Sequence, residues 1–330
     1  MLDDPDVNYM PGDAVVAAVT AAAGRAPVAW RRVQGGGYTP AERWLVTFGD
    51  GTTGFAKVGT IDRIGEWLRI EHRAYREIAG PFIPRMLGWA DGPVPALILE
   101  DLTGGHWPPP WSGELVDRML ETLAAIAATP CPEWARPVAS QTEIFSGWSR
   151  IAEDPAPFLG LGLVSAGGLE GALPTLVAHE SPGEVAGDAL LHFDVRSDNM
   201  CFTGERTLLV DWNWIGRGSP LFDVAAWLPS LHFEGGPRPE DVSAEAGVFA
   251  AALAGYFCAQ GRSHSFPMRH MCGECSSNRR RRRCRGLRGT LGCHRSMGGG
   301  RTNPLRHHRR RRNERLAVGD VPGRRCRRGA

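Results

Sequence analysis

Lysine is all but absent from this chain of 330 residues: of its 38 basic residues only Lys57 is lysine, and the rest are arginine. A sequence that uses arginine wherever either cation serves has kept an ammonium at one position. There a compact point charge fits and a broad, forked guanidinium does not, as between two phosphates. Long apolar runs are missing as well. No stretch reaches the roughly 20 residues that a membrane-spanning helix needs. The acidic opening MLDDPDVNYM lacks the basic start and apolar core of a secretory signal. The expectation is a soluble, cytoplasmic protein with no membrane partner. Aromatic residues are missing from the last 63 positions, since the final one is Phe266.

The net charge of +2 hides two regions of opposite character. From Met268 onward there are 20 arginines against Glu274, Glu314 and Asp320, whereas residues 1–267 hold 18 basic and 33 acidic residues. An acidic body precedes a polycationic tail. The chain is long enough to bury about three quarters of its unfolded surface, so its body needs no cross-links.

Periodicity divides the body. Asp13–Ala23 reads as an Ala-rich helix, and Gly35, Gly36 and Gly37 precede a strand in which Trp44, Val46 and Phe48 alternate. After the turn at Asp50 and Gly51, Thr53–Val58 alternates again, with Phe55 and Lys57 on one face and Ala56 and Val58 on the other. Trp67–Ile78 carries the helical stripe Trp67, Ile70, Ala74, Tyr75 and Ile78, with Glu66, Glu71 and Glu77 on the same helix. Pro84–Trp89 and Pro95–Glu100 follow, and His106–Trp111 is stiffened by three prolines into a spacer. Helices are expected over Glu114–Thr129, Thr142–Glu153 and Gly168–His179.

The densest chemistry lies between Leu190 and Asp223. His192, Asp194 and Asn199 form H-x-D-x-x-x-x-N, and the apolar run Leu208-Leu209-Val210, read as one strand between Asn199 and Asp211, delivers Asp211 into a turn twelve residues beyond Asn199. Phosphoryl transfer from a metal nucleotide needs that inventory: one carboxylate to orient a hydroxyl, and an amide oxygen with a second carboxylate to hold cations between phosphates.

These motifs resemble the catalytic segment of the aminoglycoside phosphotransferase and choline kinase-like family, a small-molecule branch of the kinase-like fold. The resemblance runs from Val15 to about Phe257. It implies an α+β, two-lobed fold: a smaller strand-rich N-lobe over residues 1–102 and a larger helical C-lobe over 103–267; the composition of 268–330, rich in Arg, Gly, Cys and Ser, adds the expectation of a disordered or frame-shifted basic tail. It implies ATP or GTP with Mg2+ as cofactors, and a hydroxyl of a small molecule as acceptor. Asp194 would orient that hydroxyl and take its proton, and Asn199 and Asp211 would hold the magnesium ions. Lys57, held by Glu71, would reach the α- and β-phosphates, and Gly35, Gly36 and Gly37 would offer backbone N–H groups to phosphates. ALILEDL, ending at Glu100 and Leu102, resembles the strand and hinge that bind adenine through backbone groups. His192 would support the loop, Arg196 would contact the γ-phosphate or pair with a neighbouring acid, and Asp223 would anchor the loop through backbone N–H groups. Asp198 has no part in the pattern. Asp211-Trp212-Asn213-Trp214 stands where protein kinases have D-F-G, and with A-P-E missing this argues against a protein substrate. Aminoglycosides suit the acidic body as polycations, and choline, amino-sugar and macrolide acceptors fit the same motifs. The residues point to no protein partner.

The tail admits several readings. Arg279–Arg283 and Arg309–Arg312 could bind nucleic acid by counterion release, but no aromatic is interleaved to stack on bases. Cys272, Cys275, Cys284, Cys293 and His294 could ligate zinc, yet the cysteine spacing matches no familiar site. A shifted reading frame accounts for more. If Arg279–Arg283 is written as repeated CGG, a neighbouring frame reads GCG, alanine. Compatible codons over Met268–Gly289 then give a helix ending A-L-P-W-A-A-R, which resembles the family's last helix. On that reading terminal helices are lost, and a nucleotide-binding remnant without turnover is the alternative to an active enzyme.

Overall fold

The structure, a computed structural model, describes residues 10–33 and 41–260. Gly35, Gly36, Gly37 and the basic tail lie outside the described residues. Those that are described belong to one compact unit.

Five antiparallel strands open the fold: β1 (Pro27–Arg32), β2 (Glu42–Phe48), β3 (Thr53–Val58), β4 (Met86–Ala90) and β5 (Ala96–Leu99), in the order β1-β2-β3-β5-β4. The period-two alternation decides what each face meets. Trp44, Val46, Phe48, Ala56, Val58 and Ile98 point to α1 (Asp13–Ala23), which closes that face with Val15, Val19 and Ala22. The opposite face turns Leu97 and Leu99 into the larger core, where they join Leu68, Ala74 and Tyr75 of α2 (Asp62–Glu77). Lys57 lies on this second face, opposite Arg43 of β2 and Leu97 of β5. Helix α2 starts five residues before the periodic stripe read from the sequence, with Asp62 in its first turn, where an acid favours the helix dipole.

The rest is largely helical. It contains α3 (Gly113–Ala127), whose Ser112 side chain caps the Leu115 N–H, then β6 (Arg136–Pro137), α4 (Gly147–Glu153), α5 (Ala156–Leu159) and α6 (Ala166–Ala178). Next come β7 (Ala189–Leu191), the hairpin β8 (Met200–Thr203) and β9 (Arg206–Leu209), and β10 (Gly216–Gly218). Helices α7 (Leu221–Phe233), α8 (Pro239–Val242) and α9 (Gly247–Gln260) complete it. The strand-rich sheet followed by helices is the two-lobed, kinase-like α+β architecture. A single core spans both parts, from Leu97 and Leu99 of the sheet to Met200, Leu209, Trp212 and Phe222.

Two expectations are corrected. The helix over Thr142–Glu153 is broken: Thr142–Phe145 is a 3-10 turn, and α4 begins at Gly147. There the chain passes backbone to backbone against α9, and a Cβ on Gly147 would sit 2.1 Å from the Gly255 carbonyl carbon. The segment between Asn199 and Asp211 is a hairpin rather than one strand. Its first strand pairs with the spacer after β5, His106 and Phe202 exchanging hydrogen bonds of 2.8 and 2.9 Å.

Among the described residues no helix is long and apolar enough to cross a membrane.

Candidate active site

The loop leaving β7 is shaped by a carboxylate that it does not contain. Asp223, buried in the first turn of α7, accepts the His192 N–H at 2.7 Å and the Phe193 N–H at 2.9 Å. Burial pushes its carboxyl up to about 7, against the pull of those two donors. Phe193 takes a left-handed backbone, φ 66, and stacks on Phe222 with centroids 5.0 Å apart. The His192 ring is wholly buried edge-on against Trp212; its Nε2 is 3.0 Å from the Val210 carbonyl, and its Nδ1 is 3.3 Å from the Asp194 N–H. One nitrogen donating and the other accepting describes a neutral imidazole, and burial lowers its pKa to about 4. His192 thus ties the loop to the strand end that precedes Asp211.

Asp194 stands at the turn of this loop. Asn199 Nδ2 donates to its carbonyl at 2.9 Å and to its Oδ2 at 3.0 Å. Arg196 Nε lies 3.2 Å from Asp194 Oδ1 and 3.3 Å from Asp198 Oδ1. Of the two sequence options for Arg196, this arrangement has it between acids, and Asp198 acquires a partner that the motif did not suggest. Burial pushes the Asp194 carboxyl up to about 6, with Arg196 pulling the other way.

Lys57 meets two acids from different parts of the chain. Its Nζ is 2.6 Å from Glu71 Oε2 and 2.8 Å from Asp211 Oδ1. Of the three glutamates on α2, Glu71 is 1 % exposed, whereas Glu66 is exposed and Glu77 accepts from Trp134 Nε1 at 2.5 Å and pairs with Arg73. Burial works against the Lys57 charge, but Asp211 and Glu71 outweigh it and raise its pKa. Burial likewise works against the Asp211 carboxylate, and Lys57 holds it below the usual range. Asp211 itself is left-handed, φ 73, at the exit of β9.

Asn199 donates through its amide nitrogen, so its amide oxygen remains an acceptor, and its backbone carbonyl accepts the N–H of Val210, the residue before Asp211, at 3.0 Å. The Asn199 amide oxygen and the Asp211 carboxylate are hard oxygen donors of the kind magnesium takes. Among the described residues no group of three or more His, Cys, Asp and Glu side chains could hold a metal. An ion held by Asn199 and Asp211 would have to draw most of its shell from phosphate and water, as magnesium can.

At the linker, the Glu100 side chain is tied to Arg85 and Arg206. Its carboxylate accepts the Arg85 N–H at 2.8 Å and Arg206 at 3.0 and 3.2 Å, and its own N–H is bound to the Arg85 carbonyl. The Leu102 carbonyl accepts from Gly105 N–H at 3.0 Å and Trp107 Nε1 at 3.3 Å. Several contacts were not legible in the motifs. Ser197 Oγ donates to Glu234, which also accepts from Trp111 Nε1 at 3.0 Å, so the end of α7 braces the loop. Exposed Trp214 leans on Trp67 of α2 at 5.9 Å, and Arg63 covers that indole at 4.7 Å.

The model of the phosphotransferase enzyme family (APH) matches residues 22–261. The chain belongs to that family. The match ends before the basic tail. No curated protein matches the chain. Among solved structures, this phosphotransferase resembles an amicoumacin kinase in complex with AMP-PNP and Ca2+, at 12% identity and TM-score 0.50 over 84% of this chain and 93% of that one. It also resembles an aminoglycoside phosphotransferase from Alicyclobacillus acidocaldarius (16% identity, TM-score 0.49, 88% and 99% covered). A third likeness is to a fructosamine-3-kinase described as putative, from Thermobifida fusca (19% identity, TM-score 0.46, 84% and 100% covered). At these identities the likeness is one of fold.

Proposed function

We propose that this phosphotransferase moves the γ-phosphoryl group of ATP to a hydroxyl of a small molecule. The observation that carries the reading is the buried contact of Lys57 with both Glu71 and Asp211, which aims an ammonium at the ground between the sheet and the Asp194 loop. Residues 1–102 form the nucleotide lobe in this reading, and 103–267 carry the acceptor side.

Each residue has a task. Lys57, steadied by Glu71, contacts the α- and β-phosphates. Asp211 and Asn199 hold magnesium, which when bound neutralises charge on the phosphate oxygens. Asp194 accepts the hydrogen bond of the acceptor hydroxyl, orients its oxygen in line with the γ-phosphorus and receives the proton as the bond forms. The transition state is loose, so little basicity is asked of it. His192 and Asp223 keep the loop in shape, and Arg196 balances the Asp194 charge. Glycines 35–37 are proposed to cover the phosphates. Aminoglycosides are the first acceptors to try, since residues 1–267 hold 33 acidic against 18 basic residues and suit a polycation.

The test is ADP release from ATP and magnesium by the purified full chain, with and without a panel of aminoglycosides, choline, amino-sugars and macrolides. Acceptor-dependent release that Asp194→Asn abolishes is expected. No nucleotide binding by calorimetry, together with no release, would sink the reading.

A further inference from the structure

One face of α2 carries three side chains that bear on a single turn. Trp67, Glu71 and Tyr75 follow one another at intervals of four residues, a spacing that puts them on one side of the helix. Trp67 meets Trp214 with centroids 5.9 Å apart and planes inclined at 50°. Glu71 holds Lys57, whose Nζ reaches Asp211. Tyr75 is buried beside them: burial, and then the Glu71 and Asp211 carboxylates, raise its hydroxyl well above the usual phenol value.

The turn at Asp211 has reason to be held. Asp211 is left-handed, φ 73, a conformation that a residue with a side chain adopts rarely and keeps where its surroundings enforce it. The 3-10 turn Trp212–Trp214 follows at once. Trp212 fixes the near end, wholly buried and donating through Nε1 to the Leu209 carbonyl at 2.8 Å. The far end rests on Trp214, which is 47 % exposed and leans on an indole that Arg63 covers at 4.7 Å. The last turn of α2 is tied separately, with Glu77 accepting from Trp134 Nε1 at 2.5 Å and Arg73 lying over that indole at 4.5 Å. Helix α2 therefore has an aromatic grip on either side of Glu71.

We infer that Trp214 is a positioning residue: through Trp67 it holds the Asp211 turn against α2 and keeps the Lys57–Glu71–Asp211 cluster closed before any nucleotide arrives. The inference deepens the phosphotransferase reading, in which those groups serve phosphates and magnesium. Loss of the indole frees the turn to leave its left-handed backbone, and the Asp211 carboxylate then parts from Lys57. An aromatic pair shifts such an opening equilibrium by roughly two- to tenfold.

The chain supplies its own probe, because Lys57 is its sole lysine. The experiment is amine acetylation of the full chain without nucleotide, read by mass spectrometry of the Lys57 peptide. Lys57 is 6 % exposed, so it is labelled when the cluster opens. Trp214→Ala and Trp67→Ala are each expected to speed labelling about two- to tenfold. The double variant should go no further than either single one, since both remove the same contact, and Trp214→Phe should return most of the protection. Gly147→Ala, which strains the crossing of α4 and α9, is the control for a general loss of stability and should leave the rate near that of the unaltered chain. Labelling of Trp214→Ala at the unaltered rate, a rise that Gly147→Ala matches, or rises that add in the double variant each overturns the inference and leaves the phosphotransferase reading standing. If AMP-PNP with magnesium neither binds the unaltered chain nor protects Lys57, that reading falls, and the labelling rates still decide the role of Trp214.

Discussion

Lys57 and Asp211 are 154 residues apart in the chain, and their side chains meet at 2.8 Å. With Glu71 on the other side, one ammonium compensates two buried carboxylates, and each of the three groups depends on the others for its charge.

Lys57→Met therefore does more than remove a phosphate contact. Nucleotide-dependent transfer should fall by about a hundredfold or more, as when a preorganised charge partner is lost. The fold should lose several kcal/mol, roughly 3–5, because two buried carboxylates are left facing each other. Burial already holds the Glu71 carboxyl up at about 7 with the lysine present, and without it both carboxyls move further up, Asp211 from below its usual range, so the penalty is small at low pH and grows as pH rises through those raised values. Melting curves at pH 5 and pH 8 check this. A gap from wild type that is widest at pH 5 would contradict it.

Asp194 and Asp211 should fail differently. Asp194→Asn is expected to abolish transfer and leave magnesium-nucleotide affinity within about twofold, since the Asn199 amide stays held by the backbone carbonyl of residue 194. Asp211→Asn should weaken the metal-dependent part of binding. Equal losses of affinity in calorimetry would show that the two roles are not divided.

The acid limb of kcat/KM should fall near pH 6, where burial sets the Asp194 carboxyl in the free enzyme. The carboxylate is the working form, so activity drops about tenfold per unit below that point. A profile flat down to pH 5 would place the proton elsewhere.

Gly147→Ala should destabilise by about 1–3 kcal/mol or more in urea unfolding, because its methyl would meet the Gly255 backbone, which has no flexible end to yield. Unchanged stability would mean that α4 and α9 do not cross as described.

Truncation after Pro267 removes 20 arginines and, on the frame-shift reading, should cost no thermal stability. Restoring the neighbouring frame should raise stability and nucleotide-dependent transfer together. A restored-frame protein that matches the truncated one in both would count against that reading.

The sequence spoke most clearly where one residue type had no substitute. Lys57 stood out because every other basic residue is arginine, and the spacing of His192, Asp194, Asn199 and Asp211 marked the loop, though not the hairpin between Asn199 and Asp211. The strand Thr53–Val58 and the helix Asp13–Ala23 followed from simple periodicity. The resemblance singled out Glu71, but periodicity did not separate it from Glu66 and Glu77 on the same helix; what the fold adds is that Glu71 alone of the three is buried. The break before Gly147 was hidden because its cause, the backbone at Gly255, lies in another helix. Glu234 was hidden for the same reason: its partners Ser197 and Trp111 come from distant segments, and a single glutamate at a helix end carries no motif.

Phe193 has a consequence for laboratory evolution of this chain. A left-handed aromatic residue costs about 1–3 kcal/mol of backbone strain, and here it directly precedes Asp194 and rests on Phe222. Glycine at 193 would relieve that strain and give up the stacked ring that holds the carboxylate's neighbour in place. A library screened for heat resistance and one screened for turnover should thus pull position 193 in opposite directions.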